Sequence, residues 1–205
     1  SGGLDRDAHD GYCDHLLVID TERDCLVGTY RLLSSDRVPS FGFSSESEFD
    51  LTNVKRSGLR LLELGRSCVA LEYRDGRVIS LLFRGIAEYL RLCGADALIG
   101  CASIHSTELS ELSAIREMLS RRFLAGPELR VTPRRGFDIP PHPVTVPVDE
   151  TAAFRSLPPL FRGYLRMGAK VCGPPAYDRA FGTTDFFVLL ETADIVKRYT
   201  RRLMG

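Results

Sequence analysis

The sequence has no apolar run approaching the roughly 20 residues of a membrane-spanning helix, so no segment of it reads as one. It also has no excess of either charge, with 27 Lys plus Arg against 27 Asp plus Glu. That balance removes the global argument for a nucleic-acid binder and leaves only local patches. The six cysteines, Cys13, Cys25, Cys68, Cys93, Cys101 and Cys172, form no C-x-x-C pair and match no His at ligand spacing. A zinc site needs ligands paired at short spacing, so none is expected, and neither is a disulfide framework in a chain large enough to build its own core. Cysteines standing singly in apolar runs are the usage of a reduced, cytoplasmic protein. Internal repeats are absent too.

What is present is 205 residues of ordinary globular composition, enough to bury roughly 70% of the unfolded surface in one domain. Charge is unevenly spread. Arg116 to Arg135 holds six Arg against two Glu, and Asp194 to the end holds four basic residues against one Asp. Each patch reads either as a docking face for an acidic partner or as a solvated basic face.

His15–Asp20 and Cys25–Leu33 read as two strands joined by the polar turn Thr21–Asp24. Residues 34–57, rich in Ser, Phe and acids, read as a loop with one short helix. A strand over 59–73, a helix over 77–93 and a strand over 96–103 make a βαβ unit, the helix spacing carried by Leu81, Leu82, Ile86, Tyr89 and Leu90. A helix follows over Glu108–Phe123, then a proline-rich extended excursion from Gly126 to Pro147. Pro158-Pro159 opens a helix through Met167, with Gly168 as its cap. Lys170–Gly173 and Asp185–Leu190 are predicted strands around a turn-rich stretch, and a basic helix runs from Ala193 to Leu203. An α/β or α+β sheet follows.

Several strings share one likeness: Cys13-Asp14-His15-Leu16-Leu17-Val18, Gly28-Thr29-Tyr30-Arg31-Leu32-Leu33, Glu63-Leu64-Gly65-Arg66-Ser67-Cys68-Val69, and the stretch from Leu157-Pro158-Pro159 through Gly173-Pro174-Pro175-Ala176-Tyr177-Asp178 to Asp185-Phe186-Phe187-Val188-Leu189-Leu190. In that order they resemble the ornithine N-acyltransferases that begin ornithine-lipid synthesis. Broader likenesses are the long-chain N-acyl amino acid synthases and, further off, the acyl-homoserine lactone synthases. The resemblance implies an α/β fold, a single GNAT-like domain over residues 1–205 with a mixed central β-sheet flanked by helices. It also implies an acyl-phosphopantetheine donor carried on acyl carrier protein, no bound cofactor and no metal. Such enzymes usually carry an upstream first strand and helix that this sequence lacks, and His9 stands where Phe is more usual.

Making an amide from a thioester requires an unprotonated amine near attack distance and a stabiliser for the oxyanion. Glu63 is the candidate base and Arg66 its catalytic partner, since Glu63-x-x-Arg66 matches a Glu/Arg pair of the lactone synthases; as a plainer reading the two form a structural ion pair at a strand edge. Arg66 or Arg31 would hold the acceptor's carboxylate. Asp7, Asp10 and Asp14 would supply negative charge for a cationic side chain such as that of ornithine, or serve as turn and cap residues. Cys68 and Val69 lie beside the thioester in the implied fold, Cys68 reading as a small buried hydrophobe of its strand, and Arg74, Gly76 and Arg77 precede a helix whose N-terminus suits the pantetheine phosphate, or form an ordinary polar turn. The usual coenzyme A loop, Gln/Arg-x-x-Gly-x-Gly/Ala, is reduced here to Arg74 and a displaced Gly76, which favours a carrier-protein donor. Tyr164 reads as a packing residue in preference to an acid for the leaving thiolate, whose pKa near 8.5 hardly requires one. No nucleophile partners His15, His105 or His142, so no acyl-enzyme is implied.

The product would be a lyso-ornithine lipid, and the basic terminal helix, with Ile195, Val196, Tyr199 and Leu203, would lie in the headgroup layer at the inner membrane face. Two other readings stay open: another amino-acid acceptor, and an inert acyl-binding or membrane-active protein.

Overall fold

The computed structural model describes residues 6–105, 109–139 and 148–195. In chain order these form β1 (Asp14–Asp20), β2 (Cys25–Ser34), β3 (Phe49–Asp50), α1 (Thr52–Arg56), β4 (Leu61–Val69), α2 (Arg77–Cys93), β5 (Ala97–Ile104), α3 (Leu109–Arg122), β6 (Thr132–Pro133), α4 (Glu150–Ser156), α5 (Pro159–Met167), β7 (Lys170–Val171), β8 (Ala176–Asp178) and β9 (Thr183–Glu191). The class is α/β with a mixed sheet flanked by helices, as expected. The chain gathers into two compact units, Ser1–Ser44 with Arg60–Leu98, and Ser45–Leu59 with Ile99–Gly205.

In the first unit β1 and β2 form the predicted antiparallel hairpin. Its turn is closed by Asp20 Oδ1, which accepts from Glu22 N at 2.9 Å and Arg23 N at 3.1 Å. Antiparallel β4 pairs on the other edge of β2. Val78, Leu82 and Ile86, four residues apart, put one buried stripe of α2 on this layer. Two glycines make the approach close: a Cβ on Gly28 would stand 2.5 Å from Val78 Cγ1, and one on Gly85 would stand 2.7 Å from Leu16 Cδ1. The β4 strand is shorter than the expected 59–73. It stops at Val69, and Leu71–Tyr73 makes a short 3-10 turn pinned by the Tyr73 hydroxyl donating to Asp20 Oδ2 at 2.7 Å.

In the second unit an apolar cluster joins Ile115, Met118 and Leu119 of α3, Phe161 and Leu165 of α5, Val171 of β7, and Phe186 and Val188 of β9. Its centre strand β9 is buried from Thr183 through Leu190 and takes β7 and β8 antiparallel. The α5 helix keeps its predicted prolines at the start and Gly168 at the end. Three features escaped the sequence reading. Helix α4 starts at Asp149, whose side chain accepts from the amides of Thr151 and Ala152. β8 lies in the stretch read as a turn, and β3 pairs with β6. Of the expected terminal helix, residues 192–195 are helical; Val196, Tyr199 and Leu203 lie outside the described residues, as does His142. All six cysteines are free thiols.

Candidate active site

The first unit builds a charged network around a residue that strands rarely bury. Arg31 is 6% exposed on β2, between Tyr30 and Leu32, which are themselves buried. A buried guanidinium must find partners, and Arg31 has three. Nη1 donates to Asp7 Oδ2 at 2.7 Å and to Asp10 Oδ1 at 2.9 Å, while Nη2 donates to Ser44 Oγ at 2.7 Å. Ser44 then passes the network on, its amide donating to Glu63 Oε2 at 2.8 Å. Glu63, on β4, is 5% exposed.

Arg66 enters by a different device. Arg31 pairs with Gly65 and Thr29 with Cys68, so Tyr30 stands opposite both Arg66 and Ser67: a β-bulge. Arg66 takes the left-handed φ of 50° there, a conformation costing about 1–3 kcal/mol for a residue with a Cβ. The bulge turns its side chain to Asp7, with Nη2 donating to Oδ2 at 2.9 Å and 36% of the side chain exposed. The N-terminal turn is cross-braced as well. Asp7 N donates to Asp10 Oδ2 and His9 N to Asp7 Oδ1, while His9 packs edge-on to Phe41 at 4.8 Å.

Burial on its own would raise the Asp7 carboxyl; the Arg31 hydrogen bond, the His9 amide, the Arg31 charge and the Arg66 bond outweigh it and bring it down to about 2. Asp10 is lowered by the Asp7 amide and then, against desolvation, by Arg31. Burial pushes the neighbouring Cys13 thiol up to about 11, so this cysteine is not a thiolate nucleophile.

The structure thus brings Asp7, Asp10, Arg31, Glu63 and Arg66 together. It separates Asp14, which accepts from Arg37 Nη1 at 2.7 Å and from the Tyr89 hydroxyl at 2.6 Å, bonds that lower its carboxyl. Ser44, the link between Arg31 and Glu63, was missed by the sequence reading. Its only signal was its place in the Ser- and Phe-rich loop.

At the far end of β4, Cys68 is exposed and so is not the small buried hydrophobe expected of its strand, and Val69 is half-buried. Val69 O accepts from Arg74 Nε at 2.9 Å. Gly76, with φ 95°, turns the chain into α2, where Asp75 accepts from both Arg77 N and Arg77 Nε. These residues gather at the N-terminus of α2, with Arg77 itself 89% exposed. Tyr164 stands on α5 in the second unit.

The model of an acetyltransferase (GNAT) domain matches residues 1–84, which hold every residue of this network. An L-ornithine N(alpha)-acyltransferase of Brucella abortus is 39% identical over 95% of this chain and 73% of its own length. One from Rhodobacter capsulatus is 36% identical over 98% of this chain and 82% of its own. The chain belongs to the L-ornithine N(alpha)-acyltransferase family. As a member of that family it is an N-acyltransferase acting on amino acids. Among solved structures, a CoA-dependent acyl-homoserine lactone synthase overlays with a TM-score of 0.47 at 16% identity, covering 97% of this chain and 69% of that one.

Proposed function

We propose that this chain moves a fatty acyl group from the phosphopantetheine thioester of acyl carrier protein to the α-amine of ornithine, giving a lyso-ornithine lipid. One observation carries the choice of acceptor: the network sets three carboxyl side chains, Asp7, Asp10 and Glu63, against two guanidiniums, Arg31 and Arg66. Ornithine, with two ammonium groups and one carboxylate, is the complement of that arrangement.

Arg31 is enclosed by Asp7, Asp10 and Ser44, so its work is to fix them. The half-exposed Arg66 is the guanidinium that takes the acceptor's α-carboxylate, and Asp10 reads the distal ammonium with lone pairs beyond those given to Arg31 and Asp7. Glu63, oriented by the Ser44 amide, receives the proton lost by the attacking amine, directly or through one water. The bulge at Arg66–Ser67 drops a residue from the ladder and supplies the oxyanion donor. The amine nitrogen forms a bond to the thioester carbonyl carbon; the carbon–sulfur bond breaks and the thiolate leaves with its electron pair. Arg74, Gly76 and Arg77 at the start of α2 take the single phosphate of the donor arm.

The carrier docks on the Arg-rich face. Arg121 and Arg122 are half-exposed or more there, and they are partly neutralised by Glu117 and Glu150. The test is thiol release from long-chain acyl carrier protein and from the matching acyl-coenzyme A, with each of a panel of amino acids. The reading expects release with ornithine and carrier protein, weakening as salt rises. Equal rates with both donors would overturn the carrier, and equal rates across acceptors would overturn ornithine.

A further inference from the structure

The strings quoted above for the family likeness contain two acids that acyl transfer does not use, Asp178 and Asp185. Both lie in the second unit, away from the network of Asp7, Arg31 and Glu63 in chain and in unit. In the β8–β9 hairpin Asp178 pairs with Thr183 and Ala176 with Asp185. Strand residues two apart share a face, so Asp178 and Asp185 are diagonal neighbours on one side of the hairpin. Glu48 meets them from the turn before β3, its backbone fixed by its own amide donating to Ser45 O at 3.2 Å and by Arg134 N donating to its carbonyl at 2.7 Å. One carboxylate oxygen from each of the three lies within 4.8 Å of the others.

Like charges this close need a counter-charge, and the second observation concerns Asp185 itself. The residue is 4% exposed, yet its Oδ1 is buried and accepts no hydrogen bond from any described residue. Among the described residues its Oδ2 accepts from the Thr183 hydroxyl alone, at 3.3 Å. Asp178 gives Oδ1 to the amides of Ala180 and Phe181, a turn that holds the carboxylate in place. Among the described residues neither Asp178 nor Asp185 has an arginine or lysine partner. A buried carboxylate oxygen without a donor is costly unless a cation meets it.

We propose that Glu48, Asp178 and Asp185 bind a hard divalent cation of the calcium or magnesium class, which fastens the β8–β9 hairpin to the turn before β3. The donor set is all carboxylate oxygen, the set such ions prefer over softer metals. Ligands of one calcium, at about 2.3–2.6 Å from it, stand no more than about 5.2 Å apart, so the spread of the trio is compatible with one calcium, while the shorter bonds of magnesium would draw it in further. The cation's role is structural, in the second unit, and no step of acyl transfer passes through it.

Terbium, excited through tyrosine, is a direct probe here: Tyr177 adjoins Asp178, and the chain has seven Tyr and no Trp to compete. Titrating the full chain with terbium after chelation should give emission that calcium displaces, and millimolar calcium should raise Tm progressively with its concentration. Asp178→Asn and Asp185→Asn should each weaken calcium at least tenfold. Asp178 lies at the hairpin's edge, so its variant keeps the test alive if the buried Asp185 variant fails to fold. Wild-type protein with no displaceable emission and no calcium-dependent Tm overturns the site. The same holds if Asp178→Asn responds like wild type, or if mild acid alone stabilises the protein while cations do nothing, the signature of carboxyls sharing a proton.

Discussion

Both compact units bury an apolar core, but they treat the charge they bury differently. In the first, the buried polar residues are Arg31 and Glu63, and Ser44 joins them: its hydroxyl accepts from the guanidinium and its amide donates to the carboxylate. In the second, the interior is the apolar cluster of α3, α5, β7 and β9, and its buried Asp185 keeps an oxygen without a hydrogen bond from any described residue. A cluster of Phe, Leu and Ile tolerates change in proportion to volume, whereas a charge network tolerates little, because each lost partner leaves another group unpaired. The proposed function therefore places specificity on a few atoms of the first unit, while the apolar cores of both units carry the stability that is spread over many contacts.

The strongest test of that contrast pairs two large lesions. Phe161→Ala, at the centre of the apolar cluster, should cost about 3–5 kcal/mol of stability and leave the acceptor preference of the folded fraction unchanged. Arg31→Met should also cost about 3–5 kcal/mol, since it strips Asp7 and Asp10 of their buried partner, and it should blunt the preference too. Denaturant midpoints and acceptor competition measured on the same preparations separate the two. A shifted preference in the Phe161 variant would erase the distinction between the units.

Glu63→Gln comes next. The amide oxygen can still accept from Ser44 N, so the fold should hold, but the proton acceptor is gone. Turnover should fall about a hundredfold or more, roughly 2.7 kcal/mol or more in the barrier, with an unchanged denaturation midpoint. Near-normal turnover would remove Glu63 from the chemistry.

What the sequence disclosed follows the same division. Periodic or propensity-driven features were readable: the β1–β2 hairpin, helix α2, whose expected spacing holds at Leu82 and Ile86 while Leu81 is exposed and Val78 takes the buried place, and α5 between Pro159 and Gly168. The charged residues singled out from the sequence, Asp7, Asp10, Arg31, Glu63 and Arg66, are gathered by the structure, and Asp14, named with them, is not. The connections could not be read. That Arg66 would turn its side chain to Asp7 depends on a bulge of one residue in β4, and a register slip leaves no trace in composition. Ser44 looked like any loop serine, because its role depends on the fold bringing β2 and β4 to it. The acids of β8 and β9 were seen only as part of a family string, since their meeting with Glu48 is long-range.

Within the network, the acid that reads the side chain should control selectivity alone. Asp10→Asn should reduce the preference for ornithine over a neutral amino acid by roughly 1.5–3 kcal/mol, about ten- to a hundredfold in relative kcat/KM, while neutral acceptors are little affected. An unaltered ratio would make Asp10 structural.

The network also sets an acid limit. The Asp7 carboxyl is depressed from 3.8 to about 2, so its contribution is fully present above the unfolded value near pH 4 and is lost as pH falls toward 2. Comparing the denaturation midpoints of wild type and Asp7→Asn at pH 6, 4 and 2 should show a gap that closes between pH 4 and pH 2. A gap constant across that window would mean that Asp7 is not held by its guanidiniums.

The smallest effect is expected where the sequence treated two acids alike and the structure divides them. Asp14 reads from the sequence as a partner of Asp7 and Asp10, yet it lies in its own pairing with Arg37 and Tyr89, its side chain 44% exposed. An exposed ion pair of that kind contributes about 0–1 kcal/mol. Asp14→Asn should therefore cost little stability and change the ratio of ornithine to a neutral acceptor by less than about twofold, against the ten- to hundredfold of Asp10→Asn. Because both substitutions remove one negative charge from the same compact unit, their long-range electrostatic effects are nearly matched. Any difference between them then reports contact with the acceptor and not the general potential of the surface. Equal losses of selectivity would mean that ornithine is chosen by the overall field of the unit, and the fixed geometry around Arg31 would have to be assigned to holding the fold.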